Sequence, residues 1–282
     1  MAVDLHTHSN RSDGSETPAE VVRLAAAAGL TTVALTDHDT LDGIPQARAA
    51  AAGSGVRLIS GTELSVGWET GAMHLLAYFL DPGAGPLQEA MAGIREGRSD
   101  RNRRLAAALA RLGMDVDYDE VAAEAGGTGV GRPHFAAVMV RKGYAADIPD
   151  AFDRYLAKGR PAYQERDRLE AAKAIELARA SGAVPVVAHP HTIGVGADDY
   201  ATAFRALARV GLGGIEAHYA EYPPDLRLHL AGLAADLGMV ATGGSDFHGT
   251  YKPEIRIGSG RGDLVVPDEC VERLEEAQSA LP

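Results

Sequence analysis

With 282 residues, the chain is long enough for one large α/β domain or for a domain carrying an insertion, and either buries a substantial core. Hydrophobic residues make up 46% and charged residues 23%, and apolar runs such as AAAAGL and VPVVA are far too short to span a bilayer. A formal net charge of −12 argues against broad nonspecific nucleic-acid binding, and the single cysteine, Cys270, excludes an internal disulfide and a thiolate metal cluster while fitting a reducing compartment. The opening MAVDLHTHS lacks a basic region followed by an apolar stretch, so no signal peptide is read and a cytoplasmic protein is expected.

The first element is a short apolar strand running into DLHTHS. In an extended chain, side chains at i and i+2 share a face, so His6 and His8 are either two ligands for one metal or a surface pair on a frayed strand. TTVALT, IPQARAAAA and VRLISGTELSV then follow as strand, helix, strand, which implies parallel pairing with crossover helices. From about 86 to 165 helical patterns run on without a convincing strand, the signature of an inserted helical cap bordered by DPGAGP and KGRPAY. The barrel is then residues 1–85 and 166–282, with the cap over its active-site end. The strand–helix rhythm returns in KAIELARASG/AVPVVAHP, DDYATAFRALARVG/LGGIEAHY and DLRLHLAGLAADLG/MVATGGSDFHG, with Gly182, Gly211 and Gly238 as helix stops.

Polar clusters of one chemical flavour accompany these strands. His6 and His8 are followed by Asp13, TDHD supplies His38, GTELS supplies Glu63, MHLLAYF is opened by His74, VVAHP supplies His189, and GGSDFHG supplies Asp246 and His248. A parallel α/β sheet brings the C-terminal ends of its strands to one face, so these distant positions can converge. A lone histidine is more often a packed or exposed residue than a ligand, but repetition after successive strands outweighs that reading. The donors are too many for one ion, so two or three metals are implied, with Glu63 as the natural bridge.

DLHTHS, TDHD, GTELS, AHP and GSDFH together resemble the PHP (polymerase and histidinol phosphatase) family, whose fold is a distorted (β/α)7 TIM-like barrel, and the match spans almost the whole chain. The resemblance implies three divalent cations. One is held by His6, His8, Glu63 and Asp246, a second by Glu63, His74 and His189, and the third by Asp13, His38 and His248. It further implies in-line attack on a phosphate ester by metal-bound hydroxide held by Glu63, His6, His8 and His189, with no covalent enzyme intermediate. Imidazole and carboxylate ligands accept Mn²⁺, Fe²⁺ or Zn²⁺, and Mn²⁺ is the first expectation. His191 is a candidate proton donor to the leaving oxygen, although Pro190 ends the strand there.

Within the cap, GVGRPHFAAVMV, an R-x-R element and a KG-x-PAY element resemble the nucleoside 3′,5′-bisphosphate phosphatases, some of which trim short RNA from the 5′ end. That resemblance makes Arg132 and His134 phosphate contacts, a plain helix start with Pro133 being the alternative. Arg101, Asn102 and Arg103 of REGRSDRNRR, with Lys158 and Arg160, are further candidates for gripping the phosphate that is not cleaved. Asp39 either accepts from a ribose hydroxyl or supports the metal ligands. IEAHYAEYPPD, with Glu216, His218 and Tyr219, departs from a more aromatic pattern and is placed at the leaving-group pocket. The expected substrate is a small phosphorylated nucleotide or short oligoribonucleotide, with no membrane and no stable complex with long nucleic acid. A cyclic sugar phosphate or a histidinol-phosphate-like monoester is the sibling reading. A C–N bond hydrolase and a noncatalytic metal-binding module are the other classes.

Overall fold

Seven strands hydrogen-bond in their order along the chain: β1 (Ala2–Asp4), β2 (Leu30–Leu35), β3 (Arg57–Trp68), β4 (Gly71–Tyr78), β5 (Val184–Val187), β6 (Gly214–Tyr219) and β7 (Val240–Gly244). The computed structural model describes residues 2–69, 71–126, 129–165, 168–196 and 199–281. The ends of the sheet meet, because Leu5 N–H donates to Gly243 O at 3.1 Å and Asp246 N–H to His6 O at 2.8 Å. Glycine is required at this seam. A Cβ on Gly244 would lie 2.4 Å from His6 N. The result is a distorted, nearly closed seven-stranded barrel.

Pairing is parallel except around β4, which is antiparallel to both β3 and β5. This corrects the expectation of parallel crossovers throughout the first part. Only residues 69 and 70 separate β3 from β4, and a parallel return needs a dozen or more. His74 therefore reaches the rim from the first half of its strand, opposite Ser65 of β3.

Inside the barrel, Val3, Leu5, Ala34, Ile59, Leu76, Tyr78, Val184 and Val240 pack as one cluster. Strand alternation places Glu63 on the face of Ile59, and His74 on that of Leu76 and Tyr78, so the apolar interior leads directly into the polar rim. The opposite end is plugged by α10 (Glu269–Ser279), whose Cys270, Val271 and Leu274 meet the first residues of β5 and β7. Outside, α1 (Pro18–Ala27), α2 (Ile44–Ala51), α7 (Ala171–Ala180), α8 (Tyr200–Ala208) and α9 (Pro224–Asp236) cover the other strand faces. Helix α1 shows the local rule: Thr17 accepts from Glu20 N–H at 3.2 Å, Pro18 opens the first turn, and Val21, Val22 and Ala25 face inward.

Between β4 and β5 lie α3 (Pro86–Arg111), α4 (Tyr118–Glu124), α5 (Arg132–Arg141), α6 (Ile148–Ala151) and a π-helical turn (Phe152–Leu156). Helix α3 belongs to two cores. Its Leu87 and Met91 join the cluster between the strands and the outer helices, whereas Leu105, Ala108 and Leu109 pack with Val121, Phe135 and Met139 in a cluster of their own. Burying side chains such as Leu109 and Phe135 contributes about 1.5–3 kcal/mol each, so the cap carries its own core. The expected far border of the cap, at residue 166, lies outside the described residues.

Candidate metal centre

Glu63 stands in the middle of the ring of donors. Its Oε1 is 2.8 Å from His74 Nδ1 and from His189 Nε2, and its Oε2 lies 3.2 Å from His8 Nε2 and 3.3 Å from both His6 Nε2 and His38 Nδ1. Asp246 Oδ1 is 3.2 Å from His8 Nε2 and 3.4 Å from His6 Nε2. On the far side, Asp13 is 3.3 Å from His248 Nε2 and 3.7 Å from His38 Nε2. Among the described residues, three sets have donor atoms close enough to share an ion: His6, His8, Glu63 and Asp246; His8, Asp13, His38 and His248; and His38, Glu63 and His74. His8 and His38 thus each serve two sets, while His189 approaches the centre through Glu63.

The chemistry of this donor set fits divalent cations. The Nε2 atoms of His6 and His8 face one another at 3.1 Å beside two carboxylate oxygens, an arrangement of donors that a cation between them would satisfy. Asp13 Oδ1 is buried without a hydrogen bond. Burial alone would push the carboxyls up, yet the imidazoles around Glu63 and Asp13, and Lys252 beside Asp246, hold all three well below the usual carboxylate range. Burial also drives His38 down to about 3, so its imidazole is neutral and able to ligate. No sulfur takes part, which suits Mn²⁺, Fe²⁺ or Zn²⁺.

A second ring of side chains aims the first. Glu216, in β6, places Oε1 2.8 Å from His6 Nδ1 and accepts from His189 N–H through Oε2 at 2.7 Å. With Nδ1 so engaged, His6 presents Nε2 to the centre. The sequence assigned Glu216 to a leaving-group pocket; its signal as a positioning residue was a charge alternating with buried Ile215 and Ala217. Glu216→Gln should weaken Mn²⁺ affinity roughly 10–100-fold in a chelator-competition titration, and an unchanged affinity would show that His6 needs no such support. Asp37 accepts from Ser9 N–H at 2.7 Å and from Ser12 Oγ at 2.6 Å, anchoring the loop that carries Asp13. Asp39, His189 and Asp246 have positive φ angles of 54°, 26° and 56°, a strain of about 1–3 kcal/mol each, held by these networks.

Above the donors opens a cavity of about 350 Å³. Arg98, Arg101, Arg132, Arg168 and Lys252 line it, a concentration of positive charge on a chain of net charge −12. Arg132, at the start of α5, has its guanidinium carbon 5.6 Å from the Phe152 ring centre and 6.0 Å from that of Tyr163. Arg101 and Arg132 are the expected phosphate contacts that this wall contains, and Arg98, Arg168 and Lys252 were not foreseen. Arg98 stood inside the basic run REGRSDRNRR, but which of its arginines turn inward is set by the path of α3.

The other expected contacts are placed elsewhere. Asp39 is fully buried, ion-paired to Arg98, and accepts from Ser65 N–H at 3.0 Å, so it braces the wall rather than facing a ribose. His134 is 1% exposed and accepts from Gly131 N–H through Nδ1 at 3.0 Å; burial keeps it neutral and it caps α5. Asn102 donates to Val130 O at 2.8 Å, and Arg103 is exposed and stacks on Tyr118. Lys158 and Arg160 are exposed away from the cavity, since the tight turn after the π-helical turn points them to solvent. His191 lines the cavity with Nδ1 3.0 Å from Tyr222 Oη. Tyr219 also lines it and donates to Asp246 Oδ2 at 3.0 Å, whereas His218 faces α9 and α10.

A profile of the PHP domain matches residues 4–124. Over 248 residues, 87% of each protein, the chain is 34% identical to the 3′,5′-nucleoside bisphosphate phosphatase of Chromobacterium violaceum. The chain belongs to the PHP family. It is similar as well to the 5′-3′ exoribonuclease of Haemophilus influenzae, with 34% identity over 251 residues covering 87% of this chain and 89% of that one. The phosphoribosyl 1,2-cyclic phosphate 1,2-diphosphodiesterase of Eggerthella lenta is 31% identical over 256 residues, covering 89% and 95%. A Bifidobacterium adolescentis crystal structure assigned as a metal-dependent phosphoesterase superposes with a TM-score of 0.87 at 30% identity, over 98% of this chain and 96% of that one. This PHP protein is accordingly a metal-dependent hydrolase of phosphate esters. No helix among its described residues is long and apolar enough to cross a membrane.

Proposed function

We propose that this PHP phosphoesterase removes the 3′-phosphate of a nucleoside 3′,5′-bisphosphate and, by the same bond cleavage, releases nucleotides from the 5′ end of very short RNA. The observation that carries this reading is one cavity with two anion-directed regions: the donor ring at its floor and the guanidinium wall of the cap. A phosphate monoester needs only the first. A second phosphate on the same substrate gives the wall its purpose. Similarity to the bisphosphate phosphatase and to the exoribonuclease, each named above, supports the same choice.

His6, His8, Glu63 and Asp246 would hold one cation, Glu63 with His74 and His189 a second, and Asp13, His38 and His248 a third, Mn²⁺ being our first choice. The chemistry such cations supply when bound is Lewis acidity, which lowers the pKa of water and offsets phosphoryl charge. The chain's own residues do the rest. Arg132, framed by Phe152 and Tyr163, holds the uncleaved 5′-phosphate, and Arg101 and Arg168 add charge to that wall. With that end fixed, the 3′-phosphorus is presented to water in line with the departing 3′-oxygen, an ordering that lowers the entropic barrier. Lys252, 2.6 Å from Asp246 Oδ2, keeps that carboxylate ionised and oriented.

Hydrolysis with Mn²⁺ of adenosine 3′,5′-bisphosphate and p-nitrophenyl phosphate, read as phosphate release, and of a five-membered cyclic ribose phosphate, read as the ring-opened monoester, tests the assignment. The bisphosphate should be preferred at least about tenfold in kcat/KM, as one added charge-assisted contact predicts. Equal rates would overturn it. Preference for the cyclic diester would establish the second reading, which the Eggerthella lenta relative favours.

A further inference from the structure

The cavity over the donors has a neighbour. A second hollow, of about 270 Å³, lies across Arg98 and His38, which line both spaces. Ser12 and Thr40, from the loops after β1 and β2, line it, as do Ser99 of α3 and Tyr118 of α4. Its size falls just below the range of about 300–1,000 Å³ usual for small-ligand sites, which suits one nucleoside. Polar atoms along it are short of partners. Asn102, 1% exposed, gives its amide N–H to Val130 O, but its Oδ1 has no hydrogen bond, and the Nε atoms of Arg11 and Arg98 are buried without one. Buried groups in this condition call for a ligand or water. Tyr118 is braced by Arg103, whose guanidinium carbon sits 4.8 Å from the ring centre, so the exposed arginine of the basic run has a structural task beside this hollow.

We propose that the second hollow receives the nucleoside attached to the far side of the attacked phosphate, so that a 5′-phosphorylated dinucleotide binds across both spaces. The inference rests on the function proposed above, in which the 5′-phosphate of the first nucleotide lies against Arg132. Hydrolysis then forms a bond from the water oxygen to phosphorus and breaks P–O3′. The electron pair and a proton end on the 3′-oxygen, the first nucleotide leaves as a 5′-monophosphate, and the remainder keeps the attacked phosphate at its own 5′ end. In a bisphosphate that phosphoryl group carries nothing further and the second hollow stays unused. In a diester it carries a nucleoside, and the hollow past Arg98 and His38 offers it a place beside the donor ring. There Tyr118 offers a stacking face that tolerates any base, Thr40 and Asp42 offer acceptors to ribose hydroxyls, and Arg11 and Arg95 meet a following phosphate.

The test compares the 5′-phosphorylated dinucleotide pApA with adenosine 3′,5′-bisphosphate, both with Mn²⁺, on the wild-type protein, Tyr118→Ala and Ser99→Trp, the last filling the hollow. The wild type should convert pApA into adenosine 5′-monophosphate alone. Each variant should lose roughly tenfold or more in kcat/KM for pApA, the size of a lost stacking contact, and stay within about twofold on the bisphosphate, which also reports an intact fold. Equal losses on both substrates, or undiminished use of pApA by both variants, would overturn the assignment. So would adenosine as an early product, because the remainder would then sit on the leaving side. A wild type active on the bisphosphate and inert on pApA refutes the second hollow and the short-RNA part of the proposed function, and leaves the bisphosphate reading standing. Inertness toward both refutes the underlying function and this inference with it.

Discussion

Glu63→Gln should lower phosphate release by at least about 10³-fold, equivalent to roughly 4 kcal/mol of transition-state stabilisation. The substitution keeps the shape of the side chain and removes its charge. Five imidazoles lie within 3.3 Å of the two carboxylate oxygens, so a neutral amide would leave His6, His8, His38, His74 and His189 without their common anion. Because the amide can donate hydrogen bonds to nitrogens that should be ligands, metal content should fall together with activity. Elemental analysis of the purified variant and a steady-state assay check this jointly. A variant that keeps a full metal complement and more than about a tenth of the wild-type rate would remove Glu63 from its bridging role.

Arg132→Ala should act on substrate choice and leave the chemistry in place. Loss of a charge-assisted phosphate contact costs about 1.5–3 kcal/mol, so kcat/KM for adenosine 3′,5′-bisphosphate should drop roughly 10–150-fold. Hydrolysis of p-nitrophenyl phosphate, which has no second phosphate, should change by no more than about threefold. Arg132→Lys should recover little, because an ammonium cannot reproduce a forked contact held between Phe152 and Tyr163. If both substrates decline in parallel, Arg132 supports the cap's structure and the second phosphate is held elsewhere.

The donors were legible because their chemistry is written in short motifs. His6 with His8, and Asp246 with His248, announce themselves by an i, i+2 spacing beside strands, and both pairs do meet Glu63 or Asp13 in space. The direction of β4 was not read, although a clue existed. Ten residues separate Glu63 from His74, too few for a crossover helix, and the apolar run of MHLLAYF reads identically in either direction. Asp39 and His134 misled for a related reason. A polar residue beside a ligand or at a helix start looks available in one dimension, yet burial committed Asp39 to Arg98 and His134 to Gly131 N–H. Glu216 gave the reverse error, a charged residue in an apolar strand whose partner, His6, lies far away in the chain.

By itself, the order of residues determined the kind of chemistry: nitrogen and oxygen donors without sulfur, repeated beside successive strands, with helix stops and a strand-free stretch that mark a barrel and a cap. Those features depend on local geometry and composition, which a short window contains. Tertiary structure alone decided which donors lie close enough to share an ion, which cations of the basic run line the cavity, and that a second hollow lies behind Arg98. These are contacts between segments far apart in the chain. Their outcome depends on barrel closure and on the path of α3 across two cores, which no local pattern encodes.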